Sequence, residues 1–359
     1  MYTLSHIELT QFRNYHSASF DFDSRVVAIC GKNGVGKTNL LDAVYYLCFT
    51  KSYFGKSDLI SVEMGSQGFN ITGDFFKKNQ THRVSLILRE NKKKELWVDG
   101  ESITPFSQHI GYFPSVCIAP DDVSLINGAS EERRRMMDTV LSQTDNLYLS
   151  ELIRYNRCLA ERNKYLKNID GSSWDELLLD SLDDQMIPAG MVIQKKRQEF
   201  LETFTPFILK NFSFISGNSE QPQIEYTPSL PLDSFAQVFK QNRKRDVLLQ
   251  RTTSGIHKDD FEILYHGNPF KSMASQGQTK SLLFALKLAE YEFMESYFGF
   301  SPLLLLDDIF EKLDENRLEK LIQWVCIENK GQVFLTDSHQ DRVTQLLNRN
   351  SVPFQLVNP

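Results

Sequence analysis

Eight consecutive residues, Gly31-Lys32-Asn33-Gly34-Val35-Gly36-Lys37-Thr38, match the spacing G-x-x-x-x-G-K-[ST] at every fixed position. The spacing has a chemical reason. Glycines let the chain wrap until several backbone N–H groups point at one anion, and the helix that begins here adds the positive end of its dipole. The Lys37 ammonium would neutralise the β- and γ-phosphates of a nucleotide, and the Thr38 hydroxyl would ligate Mg2+. Residues Gly31 to Asn39 are therefore the candidate ATP-binding loop, with Lys37 in a catalytic role and Thr38 as a metal ligand. A chance match in a surface turn is the bland alternative. An apolar strand before the loop and an amphipathic helix after it argue against that.

A second candidate lies most of the chain later, where the apolar run 303–306 ends in Asp307-Asp308. Alone, two acids at a strand end are an ordinary solvated cap. In a chain that also carries a phosphate loop, such an Asp holds Mg2+ through water, and a neighbouring carboxylate can orient the attacking water. Asp307 is the candidate metal carboxylate and Asp308 the candidate base. Small GTPases and nucleotide kinases complete this pair much sooner, so the separation points to a split ATPase head. Ser275-Gln276-Gly277-Gln278 stands just before a helical stretch from Lys280. Hydroxyl and glycine at a helix start can bind an anion, or simply cap the helix. With the motifs on either side, the tetrapeptide resembles the signature loop of ABC-type ATPases, which works across a dimer. Residues 310–314 resemble the D-loop of the same group.

These residues need elements to hold them. The continuous apolar run 25–30 suits a buried strand of a covered sheet and delivers the chain to Gly31. From Lys37 the period changes, with Leu40, Leu41, Val44, Leu47 and Cys48 at helical spacing. Residues 4–12 alternate with some irregularity, 19–23 alternate, and 68–76, 83–89 and 95–98 read as strands. A hairpin turn follows at Val98-Asp99-Gly100-Glu101, and 112–119 is a further apolar run. Near residue 120 the chain turns helical. Ser130 reads as an N-cap before acidic Glu131 and Glu132. Two apolar stripes follow, then a third helical region, 174–212, broken near Pro188 and Pro206. Residues 216–234 read as loop and 235–250 as a charged helix. A hairpin at 261–265 turns on Gly267-Asn268, 280–297 is helical, and 332–336 is a buried strand.

Composition bounds the class. The 359 residues are 41% hydrophobic and 24% charged, ordinary for a soluble protein of about two domains. A net charge of -6 excludes a polycation that coats nucleic acid, though not a local basic patch. The five cysteines are odd in number and widely spaced, so neither a zinc site nor a disulfide framework is expected. No apolar run reaches the about 18–20 residues of a membrane span, and the N-terminus lacks the regions of a secretory signal. A reduced, cytoplasmic protein without a membrane partner is expected. In 240–258, six basic residues face one acid, Asp246. Arg243, Lys244 and Arg245 are candidate DNA phosphate contacts, the alternative being a solvated helix face. Arg133-Arg134-Arg135 could contact DNA, a partner subunit, or Asp121 and Asp122.

Several segments carry a family resemblance by their order and spacing. They are Phe12-Arg13-Asn14-Tyr15, the phosphate loop with Asn39-Leu40-Leu41-Asp42, and Pro120-Asp121-Asp122 ahead of Arg133-Arg134-Arg135-Met136-Met137-Asp138. Gly255-Ile256-His257-Lys258-Asp259-Asp260 follows, then the Ser275 tetrapeptide, Leu305-Leu306-Asp307-Asp308 and Leu313-Asp314. Together they resemble the bacterial RecF family of recombination-mediator ATPases, in the ABC/SMC/Rad50 group, over nearly the whole chain. The resemblance implies an α/β fold: an ABC-type P-loop ATPase head with mixed sheets around the P-loop helix. An inserted, mostly helical second lobe and no long coiled coil go with it. The ATP-binding lobe would be 1–119 plus 299–359, and 120–298 the helical lobe carrying the signature loop. It implies ATP and Mg2+, and an ATP-dependent homodimer in which one copy's phosphate loop sandwiches ATP against Ser275 and Gly277 of the other. Asp314 would belong to the D-loop. It also implies binding to gapped or junction DNA, weak DNA-stimulated ATP hydrolysis, and RecO and RecR as partners in loading RecA.

Two departures stand out. Asp308 occupies the position where ABC ATPases usually carry Glu, and the shorter carboxylate suits a slow switch. Relatives often carry a His after the final strand; here Thr336-Asp337-Ser338-His339 sets His339 late, and Asp337 can occupy the position instead. An SMC-like structural head in chromosome organisation is the alternative, against which the missing arm sequence argues. A metabolic kinase or a transporter ATPase is a third reading.

Overall fold

The irregular alternation of the first strand has a structural cause. β1 (Tyr2–Phe12) buries Leu4, then Ile7, Leu9 and Phe12. Its register slips between Leu4 and His6, and the extra residue of that bulge returns the apolar side chains to one face. The computed structural model describes residues 2–169, 174–217, 221–308 and 314–359. The chain divides into two compact units. One comprises 1–122, 214–217 and 284–359, and the other 123–213 and 218–283.

In the first unit β2 (Tyr15–Asp21) pairs with β1. β3 (Val26–Cys30) is buried throughout and leads through the phosphate loop into α1 (Lys37–Phe49). With β4 (Phe69–Lys77), β5 (Gln80–Leu88), β6 (Lys94–Val98) and β7 (Glu101–Ser102), the first two strands form an antiparallel sheet in the order β2-β1-β4-β5-β6-β7. The expected hairpin turn between β6 and β7 places Asp99 at φ 53° and Gly100 at φ 84°. Two positive φ values are what a two-residue hairpin loop requires. β8 (Ser115–Ile118) belongs to a second sheet, described below.

The second unit is mostly helical: α2 (Ser124–Asn127), α3 (Ser130–Thr144), α4 (Asn146–Lys167) and α5 (Glu176–Ser216), whose last residues return to the first unit. A small sheet joins β9 (Gln223–Thr227) through α6 (Phe235–Gln241) and α7 (Arg243–Leu249) to β10 (Asp260–Tyr265) and β11 (Asn268–Pro269). α8 (Phe270–Met273) and the first part of α9 (Gln276–Phe298) complete it. Buried ion pairs tie these helices together. Arg162, fully buried, donates to Asp183 at 3.0 Å, and to Asp246 at 2.8 Å and Thr252 at 2.9 Å. Arg197 does the same for Asp138 at 2.9 Å and the Ile256 carbonyl at 2.7 Å.

The first unit resumes with the rest of α9, β12 (Leu303–Leu306), α10 (Glu315–Ile322), β13 (Val333–Asp337), α11 (Gln340–Arg349) and β14 (Gln355–Val357). Its second sheet runs β14-β3-β13-β12-β8, parallel throughout. Every residue of β3, β12 and β13 is buried, as continuous apolar strands of a covered parallel sheet should be. α1 touches β4 and β5 of one sheet and β8 and β13 of the other, with nearly all of its residues buried. Parallel pairing also brings the ends of β3, β12 and β13 to the same edge, where ligands of such sheets bind.

The structure corrects several expectations. α5 runs unbroken through Pro188 and Pro206. Each proline lacks a donor and costs roughly 3 kcal/mol in a helix. Buried Ile187, Ala189, Ile193, Phe204 and Ile208 along the same helix offset that. Residues 216–234 contain strand β9. Asn242 separates α6 from α7. Ser130 is the first residue of α3 and not its cap, its hydroxyl accepting from Arg134 at 2.7 Å. The β10–β11 turn is His266-Gly267, both at positive φ. Residues 284–298, expected with the helical lobe, belong to the first unit, and so do 120–122. All five cysteines are buried and unpaired. Among the described residues no helix is long and apolar enough to cross a membrane.

Candidate functional site

The phosphate loop is held open by strain that only glycine tolerates. Gly34 and Gly36 lie at φ 86° and 117°, and a Cβ on Gly36 would stand 2.6 Å from the Tyr15 hydroxyl. The Lys37 ammonium curls back onto the loop, donating to the carbonyls of Gly31 at 2.8 Å and Lys32 at 3.1 Å. A second segment supports the loop from outside. Between β1 and β2 the chain turns tightly, with Gln11 and Arg13 at positive φ. The turn aims Asn14 at the Val35 carbonyl (2.9 Å) and the Tyr15 hydroxyl at the Gly36 carbonyl (3.0 Å). Asn39 donates to Asn14 at 2.7 Å, and Arg13 bridges Asn39 to the buried carboxylate of Asp42. The sequence carried Arg13, Asn14 and Tyr15 only as part of a family pattern. Their work as a brace for the loop depends on a hairpin that folds them under it.

Strand order brings the acidic residues to the loop. β13 lies between β3 and β12, and the Gly31 N–H donates to the Asp337 carbonyl. Thr38 Oγ1 donates to Asp307 Oδ1 at 2.8 Å, joining residues 269 positions apart. Thr336 Oγ1 donates to the same oxygen at 2.9 Å and accepts from the Asp308 N–H at 2.9 Å. Nothing in the sequence spacing marks Thr336, which reaches the site only through the parallel register of β12 and β13. Burial pushes the Asp307 carboxyl up, with a further push from the Asp308 charge; the Thr336 and Thr38 hydroxyls and Lys37 pull it down less strongly. Asp308 turns the chain at φ 45°. The Thr38 hydroxyl and Asp307 carboxylate are oxygen donors of the kind Mg2+ accepts, and they are the residues that would hold it. Asp337 is fully buried and holds Arg342 at 2.5 Å and the His339 N–H at 2.6 Å. His339 occupies the N-cap position of α11 without a side-chain cap hydrogen bond, and its side chain is 67% exposed.

Other candidates fall elsewhere. In the second unit Ser275 and Gln278 form a reciprocal capping box at the start of α9: the Gln278 N–H donates to Ser275 Oγ, and the Ser275 N–H to Gln278 Oε1. Gln276 is exposed and Gly277 half-buried. Asp314 caps α10, accepting from the Arg317 N–H at 3.1 Å; residues 310–313, the rest of the expected D-loop, lie outside the described residues. Arg243, a candidate DNA phosphate contact, is already engaged within the second unit. Its guanidinium is shared among Asp183 at 2.7 Å, Asp180 at 2.5 Å and Glu176 at 2.8 Å. Those carboxylates come from α5, so sequence proximity could not reveal them. Lys244 and Arg245 remain exposed. Arg133 makes a two-pronged pair with Asp260, at 2.8 and 2.7 Å, and Arg134 donates to the Asp259 carbonyl. Both therefore brace the second unit.

Residues 3–355 match the family described as RecF/RecN/SMC N terminal domain. The DNA replication and repair protein RecF of Cytophaga hutchinsonii is 39% identical over 98% of this chain and 93% of that protein. Its namesake from Flavobacterium johnsoniae is 38% identical over 99% of each. A solved structure titled as the recombination mediator protein RecF-ATP in the RecFOR pathway superposes with a TM-score of 0.87 at 28% identity. It covers 94% of this chain and 92% of that one. An Smc head domain from Pyrococcus furiosus gives a TM-score of 0.55 at 15% identity, over 96% and 92% of the two chains. That likeness carries the ABC-type ATPase head fold alone.

Proposed function

This chain belongs to the RecF family, and on that premise we propose that it is an ATP-dependent DNA-binding switch acting as a recombination mediator in replication and repair. The observation that carries the reading is the hydrogen bond between Thr38 and Asp307. It joins a phosphate loop to a strand-end carboxylate in the arrangement that P-loop ATPases use for Mg2+-nucleotide. In this reading the amides of residues 31–36 and the start of α1 receive the phosphates. Lys37 releases the loop carbonyls and turns to the β/γ charge. Thr38 and Asp307 hold Mg2+, which when bound would neutralise charge on the phosphate oxygens. Asp308 orients the attacking water. Asn14, Tyr15 and Asn39 keep the loop in its receiving shape.

Ser275, Gln276, Gly277 and Gln278 of a second copy would close over the nucleotide. The capping box supports this by fixing the N-terminus of α9. ATP would then make the dimer, and the dimer would hold gapped or junction DNA while RecO and RecR load RecA in the cytoplasm. Slow hydrolysis, set by the short Asp308 carboxylate, would release it. Support for the nucleotide comes from the likeness to RecF-ATP at 28% identity.

The test is ATP hydrolysis by the full chain with and without gapped duplex DNA. DNA should stimulate turnover, and Lys37→Arg should keep part of the nucleotide binding while losing hydrolysis. Unchanged turnover in Lys37→Arg would remove Lys37 from the chemistry. Phosphorylation of a small substrate in place of phosphate release would favour the kinase reading.

A further inference from the structure

Leu248 and Leu249 stand 83% and 47% exposed on a helix that is otherwise firmly anchored. The inward side of α7 explains the anchoring. Arg243 is held by three carboxylates of α5. Asp246 accepts from Arg162 and from the Thr253 N–H and hydroxyl. Val247 packs with Leu166 and Leu179. The outward side is different in kind. Lys244 and Arg245 are exposed and, among the described residues, have no ion-pair partner. Residues four apart share a helix face, so Lys244 lies beside Leu248 and Arg245 beside Leu249. Exposed Arg251 follows. Leu177, 80% exposed on α5 next to the Glu176 that binds Arg243, adds apolar surface nearby.

We infer that the outward face of α7 docks another protein through an acidic segment whose carboxylates are paired with leucine-like side chains at the same spacing. The pairing of unspent cations with exposed leucines selects that occupant. A nucleic acid would take the cations and leave both leucines in water. A duplex or an anionic lipid surface is also broad. Covering α7, it would meet the exposed carboxylates of Glu176, Asp180 and Asp184, which accompany Arg243 and Lys240 at the start of the helix. A single peptide segment is narrow enough to lie on the outward face alone. The anchoring ion pairs make that face preorganised, which lowers the ordering cost of binding.

The test titrates full-length protein into a fluorescein-labelled helical peptide carrying Glu and Leu paired at i,i+4, with anisotropy as the readout. A Gln/Ser version of the peptide serves as the control. The acidic peptide should bind and the control should not. Lys244→Glu with Arg245→Glu, and separately Leu248→Ser with Leu249→Ser, should each weaken binding by about tenfold or more. Neither pair should change the melting temperature or ATP binding, because all four side chains project into solvent. Failure of the peptide to bind, or binding that survives either double substitution, overturns the proposal. Loss of DNA affinity in the charge-reversed variant would assign the cations to nucleic acid, and loss of binding to phosphatidylserine vesicles would assign the face to lipid; either result also overturns it.

Discussion

Thr38 and Asp307 come from opposite ends of the chain and meet at 2.8 Å, so the proposed Mg2+ site depends on two side chains whose separate loss should look alike. Thr38→Ala and Asp307→Asn should both lower Mg2+-dependent ATP affinity by about tenfold or more while leaving the fold intact, and Thr38→Ser should restore it. Calorimetric titration with and without Mg2+ checks this; a normal Mg2+ requirement in either variant would contradict the assignment. The raised Asp307 carboxyl adds a pH dependence. Between the ordinary value of about 3.9 and its folded value, the folded chain binds the extra proton, so this group's contribution to stability falls as pH rises through that window. In the proposed site Mg2+ would compete for the same carboxylate. Mg2+ affinity should therefore decline on acidification sooner than an ordinary Asp would require. Asp308→Asn, which removes a neighbouring charge, should move the midpoint down; a midpoint that stays or rises would count against it. The loop residues were legible in the sequence because backbone amides do the binding, and that demands Gly, Lys and Thr at fixed spacing. Asn14, Tyr15 and Thr336 were not, because hydrogen bonds to a carbonyl or a carboxylate from a distant element leave no local pattern.

Elements decide whether those side chains meet. β3, β12 and β13 could be read as buried strands from their continuous apolar runs, yet their order, with β13 in the middle, is a property of pairing that no run reveals. β9 was hidden because it lies at the edge of its sheet and pairs with β10 alone, so its residues need no strong apolar pattern. α5 was read as broken because proline rules are local, and the burial along it is not. Gly36→Ala should abolish nucleotide binding and lower the melting temperature, since the new Cβ would sit at a left-handed φ and meet Tyr15 and Asn14; retained affinity would show that the loop can shift. Arg162→Ala should destabilise the second unit by about 3–5 kcal/mol, because Asp246 would be left buried without an ion-pair partner and Asp183 would keep only Arg243. Calorimetric unfolding measures that loss, and a change below about 1 kcal/mol would mean that water enters and replaces the pair.

For the whole molecule, the phosphate loop lies in one unit and the Ser275 tetrapeptide in the other, and the proposed switch needs two copies to bring such surfaces onto one nucleotide. Ser275→Arg should block the dimer by bulk and charge. Ser275→Ala loses only a cap, a cost of about 0.5–2 kcal/mol to the helix end, and should still dimerise at higher protein concentration. The most direct measurement is sedimentation velocity of the full chain with Mg2+-ATP, with and without gapped duplex DNA. The expected result is a monomer without nucleotide and a dimer with it. The dimer should co-sediment with the DNA and be absent in Ser275→Arg. A species that stays monomeric in Mg2+-ATP and ignores the DNA would contradict the switch.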